Sequence, residues 1–297
     1  IESIRKRVMS NFKGLHFEEE SHTYTLDGKE LISTTTYLSR FSSPFNPYWA
    51  SEAKGKKILK ENPKDLRTGI YYRNRWKLIR DEAINMGTRV HGFAECFPNF
   101  DTPYCWREQA VLDFYEWLPK KYIVLFLELR IYDEESLHAG TLDGVLYNTE
   151  TGNIVIYDWK SNRRNICECY SNKTLTGDFK DLAATSLNKY VLQLSDYANV
   201  LQKNTEFKVE DRWVIWLRDK PVNVKDHDRG DAYKIKRVKI FLDKPNFKVY
   251  QTKDLTSKIE KNYKKSRKEL KEKTKAAKAK PGLFTKKSNI SKSKSKK

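Results

Sequence analysis

The sequence predicts a mixed α/β domain in which helices flank a central β-sheet, and the order of its patterns is the main reason. Helical patterns over residues 75–97 and 107–118 precede strand-like runs at 122–132, 140–148 and 153–161, and a helical pattern at 186–202 precedes strand-like runs at 212–218 and 233–242. This order is typical of a sheet covered by helices. We expect one main domain over residues 1–255, with its core at 81–250 and an N-terminal part at 1–80.

The N-terminal part is expected to contain a β-hairpin and helices. The run HTYTLDGKELIST alternates around Asp27-Gly28, which is a strong hairpin signal. The threonine run 34–36 offers N-cap hydroxyl groups for a short helix before Pro44. In the helix at 75–97 we expect an inward stripe of Ala83, Ile84, Gly87, Val90 and Ala94.

Composition argues against a membrane or disulfide-rich protein. The longest apolar run, residues 122–127, has six residues, whereas a membrane-spanning helix needs about 20. Four cysteines in 297 residues are too few for a disulfide framework, and no secretory leader is evident. We expect a soluble protein of a reducing intracellular compartment (cytoplasm, nucleoid or nucleus, or organelle matrix), with no membrane partner.

The net charge of +19 is concentrated at the C-terminal end. Residues 256–297 hold 17 Lys and Arg against three Glu, a net +14, which leaves +5 for residues 1–255. We expect a Lys-rich, largely disordered tail over 256–297, because it offers few apolar residues after Leu270. Such tails bind polyanions by releasing counterions. A solubilising tail or a localisation signal explains the composition equally well.

The stretch TLDGVLYNTETGNIVIYDWK places two aspartates and a lysine on an otherwise apolar hairpin. Side chains alternate across a strand, so Asp158 and Lys160 share one face. Antiparallel pairing is expected to set Tyr147 opposite Ile154 and Asp143 opposite Asp158.

Carboxylates that lie opposite each other repel, so a cation is expected between them. Mg²⁺ or Mn²⁺ suits oxygen ligands and phosphate substrates, and Lys160 beside it could orient water or offset charge during phosphodiester hydrolysis. A solvated surface hairpin is the alternative. It fits poorly, because NIVIYDW is apolar on both faces, as in a buried central strand.

GTLDG followed by IYDWKSN resembles the PD-(D/E)xK nuclease superfamily, in particular its RecB-like branch, which includes mitochondrial genome maintenance exonucleases and phage nucleases. The resemblance implies a restriction-endonuclease-like core. It also implies that Asp143 and Asp158 hold the metal and that Lys160 is catalytic. The usual proline before the first aspartate is replaced by Leu142.

Two more motifs of that branch have counterparts here. GTRVH supplies His91, the expected additional metal ligand. Glu95 lies one helical turn beyond His91, and Glu128 lies in the strand before the hairpin. Both are candidates for supporting the metal ligands or for binding a second metal ion.

The other motif, Q-x-x-x-Y, is matched by Gln193 and Tyr197, with Lys189 one turn earlier. In the family this element contacts the nucleic-acid backbone or supports the catalytic lysine. Tyr197 also fits an ordinary core stripe.

The cofactor expected from this resemblance is Mg²⁺ or Mn²⁺, without an iron–sulfur cluster. The spacing of Cys96, Cys105, Cys167 and Cys169 does not match the cluster-binding members, and no cysteine pairs with a histidine at a zinc-site spacing.

The function implied is a metal-dependent DNA exonuclease that acts on DNA ends, favours single strands and works with a helicase, a polymerase or another replication or recombination protein. The alternatives are a structure-specific or RNA-directed endonuclease with the same core, and an inert DNA-binding module. The aromatic and basic segments 44–49 and 71–77 suit either stacking of unpaired bases or packing within a helical subdomain.

Overall fold

The computed structural model describes residues 1–169, 173–218 and 247–279. Its helices are α1 (Glu2–Ser10), α2 (Thr34–Ser39), α3 (Pro47–Glu61), α4 (Gly69–Glu95), α5 (Trp106–Trp117), α6 (Ser186–Asn204) and α7 (Thr256–Ala279). Its strands are β1 (Leu15–Glu18), β2 (Thr23–Leu26), β3 (Lys29–Ser33), β4 (Tyr122–Asp133), β5 (His138–Asn148), β6 (Ile154–Lys160), β7 (Val209–Leu217) and β8 (Phe247–Gln251).

The strands form one mixed sheet in the order β1-β2-β3-β5-β6-β7-β8, with β4 paired to β5 beside this path. The β3–β5 and β6–β7 pairs are parallel and the other pairs are antiparallel. Helix α6 connects β6 to β7 and packs on one face of the sheet, while α4 and α5 pack on the other. The expected α/β architecture, a central mixed sheet flanked by helices, is therefore confirmed.

Strand β6 lies in the centre of the sheet and is covered on both faces. Ile154 and Ile156 belong to the core under α6, whereas Val155, Tyr157 and Trp159 belong to the core under α4 and α5. This agrees with the apolar pattern on both faces of the sequence. The charged end of β6 therefore begins inside the protein.

The N-terminal hairpin is present as expected. Strands β2 and β3 pair from Leu26↔Lys29 outward, and the two turn residues, Asp27 and Gly28, have φ of +50° and +74°. Helix α2 follows directly, but its cap differs from the prediction. The Ser33 hydroxyl accepts the hydrogen bond from the Thr36 amide, so the threonine run forms the first turn of the helix.

Helix α4 is longer than predicted, and only its C-terminal part packs on the sheet. Val90 and Ala94 are buried, whereas Ala83 and Ile84 of the expected stripe are exposed. The expected stripe is therefore wrong at Ala83 and Ile84. The N-terminal part of α4 packs against α3 instead of the sheet, and Gly55 of α3 lies close to the backbone of Gly69.

The expectation of a disordered tail is wrong for its first part, because residues 256–279 form helix α7. Ile259 and Tyr263 are buried against α2 and α6, and the Tyr263 ring stacks on Tyr37 with 4.1 Å between ring centroids. These two apolar residues one turn apart were obscured by the surrounding lysines. Residues 280–297 lie outside the described residues.

The C-terminal edge of the sheet also differs from the prediction. Strand β8, which pairs antiparallel with β7, was not expected. The strand expected at 233–242 lies outside the described residues.

Candidate functional site

Three acids lie side by side on neighbouring strands of the sheet. The β5–β6 register runs from Tyr147↔Ile154, as expected, to Gly144↔Tyr157, so the next residues to face each other are Asp143 and Asp158. In the β4–β5 register, Leu127↔Gly144 and Leu129↔Leu142 flank the position where Glu128 faces Asp143. The sheet therefore brings one carboxylate from each of β4, β5 and β6 to the same level.

Asp143 is fixed by the strand beside it. Its Oδ2 accepts a 2.6 Å hydrogen bond from the backbone amide of Trp159. The following residue must be glycine, because a Cβ at Gly144 would collide with the ring of Tyr157. One carboxylate oxygen is thus held by β6, while the other, Oδ1, faces His91.

His91 enters the site from the C-terminal part of α4. Its Nδ1 lies 3.6 Å from Asp143 Oδ1 and 3.8 Å from Glu128 Oε1. One ligand atom from each of these three residues lies within 4.8 Å of the other two. Two carboxylates and an imidazole at this spacing could hold a divalent cation.

Glu128 joins this group through an unusual backbone conformation. Its φ is +48°, a region that L-residues rarely occupy within a strand. Such a conformation costs about 1–3 kcal/mol and is often found at functional sites. The sequence suggested a supporting role for Glu128, but its carboxylate lies within the candidate ligand group itself.

Asp158, expected to be a metal ligand, does not belong to this group. Its Oδ2 forms an ion pair of 2.5 Å with Lys160 Nζ, and its Oδ1 accepts a 3.4 Å hydrogen bond from Gln193 Nε2. The two residues are two positions apart on one strand, so their side chains share a face and meet. The expected ligand set of His91, Asp143 and Asp158 stays a prediction, whereas the group that the structure brings together is His91, Asp143 and Glu128, with Asp158 beside it.

Lys160 has further contacts besides the carboxylate of Asp158. Its ammonium group lies 4.6 Å from the centre of the Tyr190 ring, and the Tyr190 hydroxyl donates a hydrogen bond to Asn162 Oδ1. Neither Tyr190 nor Asn162 was identified from the sequence. Tyr190 precedes Gln193 by one helical turn, and this spacing was the available signal.

Burial and mutual attraction shift the pKa values of the charged groups. Asp143 raises the pKa of His91 to about 9 against the opposing effect of burial. Burial raises the pKa of Asp143, and it raises the pKa of Asp158 to about 6 although Lys160 opposes it. Burial alone would lower the pKa of Lys160, but Asp158 and Asp143 outweigh it and raise that pKa. At neutral pH the site therefore contains charged His91 and Lys160.

The remaining predicted residues lie in different surroundings. Gln193 donates hydrogen bonds to Asp158 and to the Tyr197 hydroxyl, the latter at 3.2 Å. Tyr197 is only 4% exposed and packs in the core, so its side chain is not open to the direct contact with nucleic acid that the sequence suggested. Lys189 is exposed on α6. Glu95 is exposed as well and lies outside the candidate ligand group.

Comparison of the chain with protein-family models and with curated proteins gives no match.

Within the ranges that the structure describes, no helix combines the length and the apolar character needed to cross a bilayer.

Proposed function

We propose that this protein is a divalent-cation-dependent nuclease with a restriction-endonuclease-like core of the RecB-like type. The observation that carries the proposal is the convergence of His91, from helix α4, with Glu128, Asp143 and the Asp158–Lys160 pair, which come from three adjacent strands. Two carboxylates with an imidazole provide ligands for one cation, and a lysine held at the same level provides a fixed positive charge. This combination suits hydrolysis of a phosphodiester bond.

In this proposal, His91, Glu128 and Asp143 would hold Mg²⁺ or Mn²⁺, and the bound ion supplies Lewis-acid polarisation of the phosphate. Asp158 and Tyr190 hold the Lys160 ammonium group in place. From there, Lys160 donates a hydrogen bond to the attacking water or to a non-bridging phosphate oxygen, where negative charge grows. Gln193 fixes the orientation of Asp158 and so contributes through Lys160.

The substrate proposed is DNA, attacked at its ends and preferably as a single strand, during replication, recombination or repair. The net charge of +19 supports a polyanionic substrate. A helicase, a polymerase or another replication or recombination protein would supply the ends.

The test is cleavage of labelled single-stranded, duplex and circular DNA and of RNA, with Mg²⁺, Mn²⁺ or EDTA. The expected result is cation-dependent loss of linear single-stranded DNA from its ends. Cutting of circles would favour the endonuclease alternative, and cutting of RNA the RNA-directed one. If the wild-type protein cuts none of these substrates with either cation, the nuclease proposal is wrong and the inert DNA-binding module becomes the better interpretation.

A further inference from the structure

Helices α3 and α4, with the residues that join and flank them, form a helical arm (residues 45–86). Within the described part of the chain, α4 is the element on which α3 packs. Gly55 and Ser51 are the buried residues of α3, and both lie at the contact with α4, where Arg73 bonds Ser51 and Glu52. Most of the arm's surface is therefore open to a binding partner.

That surface is unusually rich in exposed aromatic rings. Phe45 is 70% exposed and Trp49 is 68% exposed, although both are large and apolar. Tyr48 lies beside Trp49, with 5.1 Å between ring centroids. Phe45 lies 6.0 Å from the ring of Trp76, which is partly buried and comes from α4. The rings thus form two pairs, Phe45 with Trp76 of α4 and Tyr48 with Trp49 of α3.

Positive charge accompanies these rings. The arm holds ten Lys and Arg against five acids. Each acid already pairs with a cation: Glu52 with Arg73, Glu61 with Lys57, Asp65 with Arg67, Asp81 with Arg80 and Glu82 with Arg163. Six cations have no acidic partner among the described residues, namely Lys54, Lys56, Lys60, Lys64, Arg75 and Lys77.

We propose that the helical arm binds an unpaired nucleic-acid strand, with bases stacked on Phe45, Tyr48 and Trp49 and phosphates next to the cations that have no acidic partner. Exposed rings interleaved with uncompensated cations match both halves of a single strand, its flat bases and its charged backbone. An acidic protein surface would satisfy the cations but gives no reason for the exposed rings. Duplex DNA hides its base faces, so it would engage the cations alone.

The arm leads directly to the candidate metal site, and this inference rests on the proposed function for its biological meaning. Trp76 and His91 belong to the same helix, 15 residues apart, which is about 22 Å along the axis. One strand at the spacing of duplex DNA covers that distance with about six or seven nucleotides. A strand bound to the arm would therefore present its end to the site.

The test is fluorescence anisotropy of a labelled oligothymidylate of about 20 nucleotides with the full chain in EDTA, so that binding is measured without cleavage. Replacing Phe45 and Trp49 together by Ala is expected to weaken binding by about tenfold or more and to leave the salt dependence unchanged. Replacing Lys56 and Lys60 together by Ala should instead reduce the salt slope. Trp49→Phe, which keeps a stacking ring, should retain most of the affinity.

The matched control is Leu66→Ala, since Leu66 is exposed on the same arm but has no ring to stack. Its affinity should equal that of the wild type. The proposal is overturned if the wild-type protein does not bind the oligonucleotide, or if the Phe45 and Trp49 double variant binds as tightly as the Leu66 variant. In the latter case the arm is a surface for a protein partner. The two proposals can fail separately. If the wild-type protein cuts no substrate but the Phe45 and Trp49 double variant loses binding, the nuclease proposal is wrong and the arm's role in binding is upheld.

Discussion

Asp143 and Trp159 are joined across two strands by a 2.6 Å hydrogen bond from the Trp159 amide to the Asp143 carboxylate. The bond occupies one carboxylate oxygen and leaves the other next to His91. It also fixes β6 relative to β5 at Trp159, the residue between Asp158 and Lys160. The hairpin therefore positions one candidate cation ligand, Asp143, and the lysine with one contact.

Glu128→Gln is expected to raise the Mg²⁺ concentration needed for half-maximal cleavage by about 10- to 100-fold. The carboxylate lies within the candidate ligand group, and the amide keeps its size but loses its charge. A Mg²⁺ titration of the cleavage rate measures the effect.

The control for Glu128 is Glu95→Gln, which removes an exposed carboxylate four residues after His91 on the same helix. The Mg²⁺ requirement of this variant should remain that of the wild type. If the Glu95 variant needs more Mg²⁺ and the Glu128 variant does not, the assignment of ligands is reversed.

Lys160→Met is expected to lower the cleavage rate at saturating Mg²⁺ by about 100-fold or more, because the positive charge next to the reacting phosphate is lost. The concentration of Mg²⁺ required should stay nearly constant, since Lys160 is not a candidate ligand. Single-turnover rates over a range of Mg²⁺ concentrations separate the two effects. A variant that regains full rate when more Mg²⁺ is added would show that Lys160 acts on cation binding instead.

Gln193→Leu is expected to reduce the cleavage rate by about tenfold without weakening DNA binding. Its amide bonds Asp158 and Tyr197 and has no assigned contact with substrate in this proposal. Lys189→Ala is the comparison on the same helix. Because Lys189 is exposed, its loss should weaken binding if it meets a phosphate and should leave the rate at saturation unchanged. If Gln193→Leu instead weakens binding and Lys189→Ala lowers the rate, the roles of the two residues are exchanged.

Much of the sheet and of the site follows from the sequence, and the reasons are local. The Asp27-Gly28 turn, the alternation along β5 and the doubly apolar β6 are short-range patterns, and they predicted the strands to within about two residues. They also predicted that Asp143 and Asp158 would meet. The pairing of Asp158 with Lys160 was available from the same alternation, but the expected repulsion between Asp143 and Asp158, together with the resemblance, assigned Asp158 to the metal.

Other features depend on contacts that no local pattern contains. Glu128 has a positive φ within β4, a conformation for which L-residues give no sequence signal. The burial of Tyr263 depends on Tyr37, more than 200 residues earlier in the chain. The N-terminal part of α4 does not pack on the sheet because it packs against α3.

The cation affinity is expected to rise with pH because His91 must lose a proton to bind a metal. In the cation-free protein Asp143 raises the pKa of His91 to about 9. Below this pH the proton competes with Mg²⁺, so affinity should increase by up to about tenfold per pH unit and level off above pH 9. Isothermal titration of Mg²⁺ in buffers of different ionisation enthalpy measures affinity and proton release together. In His91→Asn the release of that proton should vanish, and its persistence would assign the titrating group elsewhere.

Tyr263→Ala is expected to destabilise the protein by about 3 kcal/mol, since it removes a buried ring from the contact between α7 and the body of the domain. The ring stacks on His138, with 4.4 Å between centroids, and on Tyr37, so the loss affects α2, β5 and α7 together. Urea unfolding followed by circular dichroism gives the free energy of unfolding. The comparison is Lys268→Ala, an exposed position on the same helix, which should change that free energy by less than about 0.5 kcal/mol. Equal effects from the two substitutions would mean that α7 does not pack on the domain in solution, as the composition of the tail first indicated.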